Sequence, residues 1–357
     1  MSAAGLAATV VIGGRKVGPG CPTYVIAEAG SNHYGDLDVA RRLIDAAAIA
    51  GCDAVKFQVF HPATLMSPTG QRASYLDRHL GGHTSLFELF ESTAMDRDWL
   101  PLLAKHARER GIHLLATPFD VAAVAVLAGP DVAVPAMKNA SSELWDLALV
   151  ECEARTGLPL ILSTGMAAIE DVEDAVQAAT GMGARSICLL HCTVSYPTPA
   201  HAVNLRAMAT LREHFGTPVG LSDHTLGIWA SIAAVALGAD LVEKHITLSR
   251  DNDGPDDAVS LEPTELNEMV ARLRDTEASF GDGQKVRLEI EEEIFRIGRR
   301  NIVAVSDLRS GDRLESTSVA VLRSSLGIAP KYLNRVIGRT LAHDVRAGDP
   351  LTWSDLE

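Results

Sequence analysis

Two histidines follow apolar segments in the second half of the chain, at positions where a metal ion could bind. His224 comes directly after the segment GLSD, and His245 ends the segment LVEKH. If the two segments are neighbouring strands of a parallel barrel, their carboxyl ends bring both imidazoles within reach of one ion. Two histidines with a few oxygen ligands suit Mn²⁺, Fe²⁺, Co²⁺ or Zn²⁺. Each histidine could instead cap its strand through hydrogen bonds, but the pair favours a metal site.

Lys56 and Lys138 also lie near the ends of apolar segments. A lysine buried in a barrel mouth must be paired with a carboxylate or must bind an anion. A structural ion pair, for instance with Glu28 or Glu143, is therefore one interpretation, and a clamp for a phosphate or carboxylate group is the other. The hydroxyl groups that could join such a clamp belong to Ser141, Ser142 and Ser163.

Two carboxylates could act on a bound ligand. Glu28 ends the segment TYVIAE and could serve as a base, as a water-orienting group or as a neighbour of a metal ion. Asp256 stands out among the acids that follow His245, because the preceding Gly-Pro pair restricts the backbone there.

Eight short apolar segments, each ending in polar or ionisable residues, would position these side chains. Helix-like stretches lie between nearly all of them, which predicts an α/β fold of the (β/α)₈ barrel type with its site at the carboxyl ends of the strands. The fourth segment is the weakest, because Pro135 cannot donate a ladder hydrogen bond. The segments are 23–28, 53–58, 112–117, 133–138, 159–163, 186–191, 217–223 and 240–245.

The stretches around these segments predict further elements. Residues 7–17 predict a hairpin with Gly13-Gly14 as its turn, which could close the amino-terminal face of the barrel. The long polar stretch 59–87 predicts a lid or a substrate loop. Apolar stripes and caps predict helices at 36–51, with Asp36 as the cap, and near 96–110, 142–156, 168–182, 203–214, 225–238 and 263–280.

The composition changes after residue 280 and predicts a second domain. We expect a barrel domain with its hairpin at 1–281, a charged helical linker at 282–297 and a small β-rich domain at 298–357. The last part contains NIVAVSDLRSGDRL and VIGRTLAHDVRAGDPLTW, which share a hydrophobic run followed by Asp, an apolar residue, Arg and a Gly-Asp pair. This repeat predicts a domain built from two similar halves.

The overall charge excludes some classes of partner. A formal net charge of −14 over 357 residues argues against nucleic acid and against an anionic membrane surface. An anionic substrate would therefore need a local cationic pocket. Five widely spaced cysteines, with no recognisable signal peptide or apolar span, lead us to expect a cytoplasmic protein with reduced thiols.

Ordered motifs from about residue 10 onwards resemble the sialic acid synthase family. The resemblance implies a TIM barrel joined to a C-terminal antifreeze-like (SAF) domain, in an enzyme that condenses phosphoenolpyruvate with an N-acylated hexosamine and water and releases phosphate. The acceptor could be N-acetylmannosamine, or a 2,4-diacetamido-trideoxyhexose that leads to legionaminic- or pseudaminic-type products. The motifs are IAEAGSNHYGD, VKFQ, ATPFD, LSTGM, LLHCTVSYPTP, GLSDHTLG, EKHITL and GPDDAVSLEP.

The resemblance also implies roles for individual residues. His224 and His245 match the ligands of a divalent metal, Mn²⁺ or Mg²⁺, with Co²⁺ as a further candidate. Arg323 matches an arginine that reaches the barrel of the other protomer in a domain-swapped homodimer. The remaining matches are Glu28, Glu143 and Asp256 at the reacting centre, Lys56, Thr117, Lys138, Ser141 and Ser163 around phosphoenolpyruvate, and Gln58 and Tyr196, with Arg323, around the sugar.

Three stretches depart from the family's usual pattern. KNASSE has Asn139 where an aliphatic residue is usual and Ser142 where glycine is usual. Val194 stands where a polar residue is usual, and RSSLG, which begins at Arg323, lacks the usual proline and one glycine. Because some of these positions could touch the sugar, the acceptor stays open.

Two alternatives to a sialic acid synthase remain. One is another metal-dependent barrel enzyme that forms carbon–carbon bonds from phosphoenolpyruvate or pyruvate. The other is a non-catalytic carbohydrate-binding homologue. The charged residues retained at the strand ends argue against the second, because a binding scaffold has no physical need for them.

Overall fold

Two units make up the protein in its computed structural model, Met1–Phe280 and Gly281–Glu357. The structure describes residues 5–67, 86–252 and 254–357. Most of the stretch 59–87, for which the sequence predicts a lid or a substrate loop, lies outside the described residues.

A hairpin begins the first unit, as the sequence predicts. Strands β1 (Val10–Ile12) and β2 (Arg15–Val17) are antiparallel, and Gly13 and Gly14 form the turn with φ angles of 54° and 86°. Residues with a Cβ rarely adopt these angles. The buried apolar side chains of the hairpin join the cluster formed by inward-facing side chains of the barrel strands. The hairpin therefore closes one end of the barrel.

Eight parallel strands form the barrel, and each contains part of one of the eight predicted segments. Hydrogen bonding runs in the order β5-β4-β3-β10-β9-β8-β7-β6, and the two end strands of this order lie side by side. The prediction of a (β/α)₈ barrel is confirmed. The strands are β3 (Tyr24–Gly30), β4 (Ala54–Val59), β5 (His113–Pro118), β6 (Met137–Asn139), β7 (Leu160–Ser163), β8 (Ile187–Cys192), β9 (Val219–Asp223) and β10 (Leu241–His245).

The fourth barrel strand, β6, is shorter than predicted. Residues 133–136 are not part of the strand, because Ala133 has a left-handed φ of 51° and Pro135 lacks an amide hydrogen. The amide of Ala133 instead bonds the carbonyl of Gly129 at 2.8 Å. Only Met137–Asn139 pairs with β7, which leaves Lys138 in the centre of the strand.

Helices alternate with these strands. Asp36 caps α1, as predicted, through hydrogen bonds that its side chain accepts from the amides of Asp38 and Val39. Among the helices that the sequence does not predict is α5, because its sequence VAAVAVLA is apolar on every side and has no stripe. The helices are α1 (Leu37–Ile49), α2 (Pro62–Leu65), α3 (Leu86–Thr93), α4 (Leu100–Glu109), α5 (Val121–Ala128), α6 (Leu147–Arg155), α7 (Ile169–Gly181), α8 (Ala207–Phe215), α9 (Trp229–Ala236) and α10 (Pro263–Ser279).

The second unit contains the repeat that the sequence predicts. Helix α11 (Glu292–Gly298) precedes the antiparallel strands β11 (Arg300–Ala304) and β12 (Val319–Arg323), and α12 (Leu333–Val336) follows them. Leu308 and Val345, which are equivalent in the two repeat segments, bond each other's backbone reciprocally at 2.8 and 2.9 Å. The repeated sequence thus corresponds to two backbone segments that pair with one another.

We predict that Gly220→Ala destabilises the barrel strongly. Gly220 lies in β9, and a Cβ at this position would come 2.1 Å from the carbonyl oxygen of Leu241 in the neighbouring strand. Because strand backbone cannot move aside as a side chain can, we expect a loss of roughly 3 kcal/mol, measured by denaturant unfolding. The matched control is Gly181→Ala at the end of α7, where a Cβ meets nothing within 4 Å. Equal stability of the two variants would contradict this packing.

Candidate active site at the barrel mouth

A cavity of about 420 Å³ opens at the carboxyl ends of the strands. This volume suits one or two small ligands. All the predicted site residues line it except Arg323, which ends β12 in the second unit and is exposed there. The structure therefore brings together Glu28, Lys56, Gln58, Thr117, Lys138, Ser141, Glu143, Ser163, Tyr196, His224, His245 and Asp256.

Lys56 and Glu28 form a buried ion pair at the base of the cavity. Their Nζ and Oε2 atoms are 2.6 Å apart, and Lys56 also donates a hydrogen bond to Thr117 Oγ1 at 3.2 Å. Gln58 Nε2 donates to the other carboxylate oxygen of Glu28 at 3.0 Å. The ion pair between Lys56 and Glu28, one of the alternatives open from the sequence, is therefore present.

Lys138 has different partners from those considered in the sequence. Its Nζ donates to Ser163 Oγ at 2.7 Å and to the carbonyl oxygen of Asn139 at 2.9 Å. Its ion-pair partner is Glu243, whose Oε2 lies 3.9 Å from Lys138 Nζ. The ion pair with Glu143 considered from the sequence does not form.

Glu243 is a site residue to which the sequence prediction assigns no role, although it begins the family motif EKHITL. Its Oε1 accepts a hydrogen bond from Ser222 at 3.2 Å and lies 3.7 Å from Lys56 Nζ, so its carboxylate stands between both lysines. Its position two residues before His245 could have identified it, because residues i and i+2 of a strand face the same side.

Opposing effects set the charges of these four groups. Burial lowers the pKa of Lys138. Burial also opposes the charge of Lys56, but Glu243 and Glu28 outweigh it and raise the pKa of that lysine. Burial likewise opposes the charge of Glu243, yet Lys138 and Lys56 hold its pKa below the usual value. Burial raises the pKa of Glu28 despite the neighbouring Lys56.

The two histidines face each other across the cavity. His224 follows β9 and His245 ends β10, two strands that pair directly, and the ring centroids of the two histidines are 5.4 Å apart. His224 Nδ1 donates to the carbonyl oxygen of Thr193 at 3.0 Å, which leaves the lone pair of Nε2 towards Tyr196 Oη at 3.2 Å. Burial, with the nearby positive groups, keeps the pKa of His245 well below its usual value.

The histidine pair fits part of a metal site. His245 Nδ1 is buried and makes no hydrogen bond to any residue that the structure describes, and Asp256 Oδ2 lies 3.7 Å from it. Across residues 5–67, 86–252 and 254–357, no three His, Cys, Asp or Glu side chains form a complete metal site. An ion bound here would take its remaining ligands from substrate or water.

A second buried ion pair lies behind the histidines. Asp223 Oδ2 is 3.1 Å from Lys244 Nζ, and both side chains are fully buried. The same oxygen accepts a hydrogen bond from Ser231 at 2.7 Å, and Oδ1 accepts one from the amide of Thr225 at 2.8 Å. Because Asp223 precedes His224 and Lys244 precedes His245, these bonds hold both strand ends in register.

Asp256 and Glu143 lie higher in the cavity. Burial, followed by the charge of Glu28, raises the pKa of Asp256 to about 7. Gly30 has a φ of 53°, and a Cβ on it would come 3.3 Å from Asp256 Oδ2. Glycine at this position lets the end of β3 approach the carboxylate. Burial also raises the pKa of Glu143, which is half-buried at the rim.

Asn139, which departs from the family's usual pattern, has a matching partner. Its Nδ2 donates to both carboxylate oxygens of Glu153 in α6, at 3.3 and 3.2 Å, and both residues are fully buried. Burial raises the pKa of Glu153 to about 8. The buried carboxyl of Glu153 therefore gives the Asn139 amide a hydrogen-bond partner directly behind Lys138.

Comparison with known proteins agrees with this geometry. The model of the NeuB family matches residues 43–285, and that of the SAF domain matches residues 299–357. The N,N'-diacetyllegionaminic acid synthase of Legionella pneumophila is 36% identical over 94% of this chain and 94% of its own length. The human N-acetylneuraminate-9-phosphate synthase is 32% identical over 95% of this chain and 94% of its own length.

A solved structure shows the same likeness. The crystal structure of the N-acetylneuraminic acid synthetase from Leptospira borgpetersenii, in complex with citrate, superimposes with a TM-score of 0.70 at 32% identity, over 82% of this chain and 96% of that one. The chain belongs to the NeuB family of sialic acid synthases, and it is an enzyme of the carbon–carbon bond-forming transferase type. No helix in the described part of the chain is long and apolar enough to cross a membrane.

We predict that Glu153 makes the stability of the protein fall as pH rises. Its pKa is about 8 in the folded protein and near 4.5 when exposed, so the folded state holds the proton more tightly. The unfolding free energy should therefore decrease between about pH 5 and pH 8, by on the order of 3 kcal/mol. Glu153→Gln should reduce the slope by this amount in denaturant titrations, whereas Glu151→Gln on the same helix should leave it unchanged. A wild-type slope in Glu153→Gln would refute the prediction.

Proposed function

We propose that this protein condenses phosphoenolpyruvate with an N-acylated hexosamine and water, and releases inorganic phosphate, with a divalent cation at the histidines. The observation that carries the proposal is the position of two buried lysines, Lys56 and Lys138, beside two facing imidazoles in one cavity. Such lysines suit the phosphate and carboxylate of phosphoenolpyruvate, and two imidazoles suit a cation that binds an aldehyde oxygen.

Phosphoenolpyruvate would occupy the base of the cavity. Lys138 is already aimed by Ser163, and Lys56 by Thr117, so both ammonium groups are fixed before an anion arrives. Ser141 adds a hydroxyl whose oxygen accepts a hydrogen bond from the amide of Gly165 at 3.0 Å, which leaves its proton for the ligand. A bound phosphate would replace Glu28 and Glu243 as the ion-pair partner of the two lysines.

In the proposed condensation, the carboxylate of Glu28 acts at C2 of phosphoenolpyruvate. Carbon C3 of phosphoenolpyruvate bonds the aldehyde carbon of the open-chain sugar, and positive charge develops at C2. Glu28 stabilises that charge and accepts the proton of the water that adds to C2. The bond from C2 to the phosphate oxygen then breaks while the C2 hydroxyl gives its proton to the departing phosphate, which leaves the ketone of the product. The proton that Glu28 accepted passes to the former aldehyde oxygen, which becomes a hydroxyl.

His224 and His245 would hold the metal, Mn²⁺ or Mg²⁺, with Co²⁺ as a further candidate. The bound cation would polarise the aldehyde carbonyl. The chain's own contribution is orientation, because the bond from His224 Nδ1 to Thr193 directs the Nε2 lone pair into the cavity. Asp256, 3.7 Å from His245, would accept a hydrogen bond from the sugar or from water.

The acceptor would bind between the metal and the rim. Gln58, Glu143 and Tyr196 line the cavity and would contact the hydroxyl and acyl groups of the acceptor. We also propose that Arg323 of a second protomer contacts the N-acyl group, which would make the enzyme a domain-swapped homodimer. This part of the proposal rests on the family resemblance.

We predict that Lys138→Met lowers kcat/KM for phosphoenolpyruvate by roughly 10²–10³-fold. The variant loses the preorganised positive charge that would contact the phosphate or carboxylate group of the substrate. The measurement is phosphate release from phosphoenolpyruvate with Mn²⁺ and a panel of N-acyl hexosamines, and a chelator should abolish it in the wild type. Lys105→Met is the matched control, since Lys105 is exposed on α4. No phosphate release with any acceptor, or full activity of Lys138→Met, would falsify the proposed reaction.

A further inference from the structure

A buried carboxylate, Asp257, joins the loop that follows β10 to the loop that follows β3. Asp257 is only 1% exposed and accepts hydrogen bonds at both of its carboxylate oxygens. Oδ1 accepts one from the hydroxyl of Tyr34 at 2.6 Å and another from the hydroxyl of Thr247. Oδ2 accepts one from the amide of Gly254 at 2.7 Å. We call these four residues the Asp257 network.

The Asp257 network is closely packed. A Cβ on Gly254 would come 2.6 Å from Asp257 Oδ2 and 2.7 Å from Tyr34 Cε1, so only glycine fits there. Tyr34 has a left-handed φ of 50°, a costly conformation that persists only where surrounding contacts hold it. A buried carboxylate is costly as well unless hydrogen bonds compensate for the lost water. Each donor to Asp257 therefore matters to the geometry of both loops.

The network lies beside a residue of the candidate active site. Asp256 lines the cavity, and its Oδ2 is 3.7 Å from His245 Nδ1. The backbone carbonyl of Asp256 accepts a hydrogen bond from Ser260 Oγ at 2.7 Å, and Ser260 Oγ accepts one from Asn32 Nδ2 at 3.2 Å. Asn32 and Tyr34 belong to the same loop after β3. This loop therefore holds the chain around Asp256 at two points.

We propose that Tyr34 and Asp257 are positioning residues that hold the carboxylate of Asp256 at its distance from His245. This inference rests on the proposed function, in which Asp256 acts on the sugar or on water, and it adds two residues to that reaction. A carboxylate carried by a loop depends on its neighbours for its place, and a displacement of about 1 Å can cost on the order of 100-fold in rate. Neither Tyr34 nor Asp257 lines the cavity, so each acts through Asp256.

The first test is the kinetics of Tyr34→Phe, which keeps the ring and removes the hydroxyl. With Mn²⁺ and the N-acyl hexosamine that the wild type turns over fastest, we expect kcat to fall by roughly 10-fold. The Kd of phosphoenolpyruvate, titrated without acceptor, should stay unchanged, because that ligand would bind through Lys56 and Lys138.

Tyr24→Phe is the matched control for this test. Tyr24 lies at the amino-terminal end of β3, and the variant loses a comparable bond of 2.7 Å between the Tyr24 hydroxyl and His113 Nδ1. It should keep the kcat of the wild type. An equal fall in both tyrosine variants, or no fall in Tyr34→Phe, overturns the inference and leaves the proposed reaction standing. No phosphate release by the wild type with any acceptor overturns both.

A double-mutant cycle determines whether Tyr34 acts through Asp256. Tyr34→Phe should lower kcat by roughly 10-fold on its own, but by less than about 2-fold when Asp256→Asn is already present, because the group to be positioned is then gone. A purely structural role of Tyr34 would produce the same fall in both backgrounds, which contradicts the inference.

Hydrogen exchange tests the network without substrate or metal. The amide of Gly254 donates to Asp257, so it should exchange roughly 10-fold faster in Tyr34→Phe than in the wild type. In Tyr24→Phe it should exchange at the wild-type rate. Mass spectrometry of peptides that contain Gly254 measures this difference. Unchanged protection in Tyr34→Phe would show that the tyrosine does not hold the loop, and the inference would be wrong whatever the activity.

Discussion

Four buried charges at the mouth of the barrel constrain everything around them. Glu28, Lys56, Lys138 and Glu243 are each at most 5% exposed, and removing such groups from water costs several kcal/mol apiece. They are tolerable only because two cations and two anions alternate within about 4 Å. A hydrophobic core would be more stable there, so the arrangement makes sense as a preformed anion site whose internal partners give way to a ligand.

The surrounding structure keeps these charges and the histidines in place. The Asp223–Lys244 pair holds the ends of β9 and β10, and the Asn139–Glu153 pair holds β6 behind Lys138. Each is a buried polar contact between a strand and its neighbour, so each makes the strand end rigid. The catalytic face therefore depends on a second layer of polar residues as well as on barrel packing.

The sequence predicts most of the fold and most of the residues of the candidate site, and the exceptions have physical causes. The eight strands follow from short apolar segments with polar ends. Helix α5 is not predicted, because its sequence VAAVAVLA has no hydrophobic periodicity. Family motifs locate the cavity residues, and Glu243 begins one of them, but its position between both lysines is visible only in the fold. The apolar side of the cavity comes from three separate stretches, 65–66, 89–90 and 119, so only the fold reveals it.

The most direct test of the central claim is the affinity for phosphoenolpyruvate when one internal partner of the lysines is neutralised. Isothermal titration of phosphoenolpyruvate into Glu243→Gln, without acceptor, isolates this competition. Because Glu243 lies 3.7 Å from Lys56 and 3.9 Å from Lys138, its neutralisation should remove one internal competitor of the anion at both lysines and tighten binding by about tenfold relative to the wild type. Unchanged or weaker binding of phosphoenolpyruvate by the variant would mean that Glu243 does not compete with the anion for the two lysines, which contradicts the account.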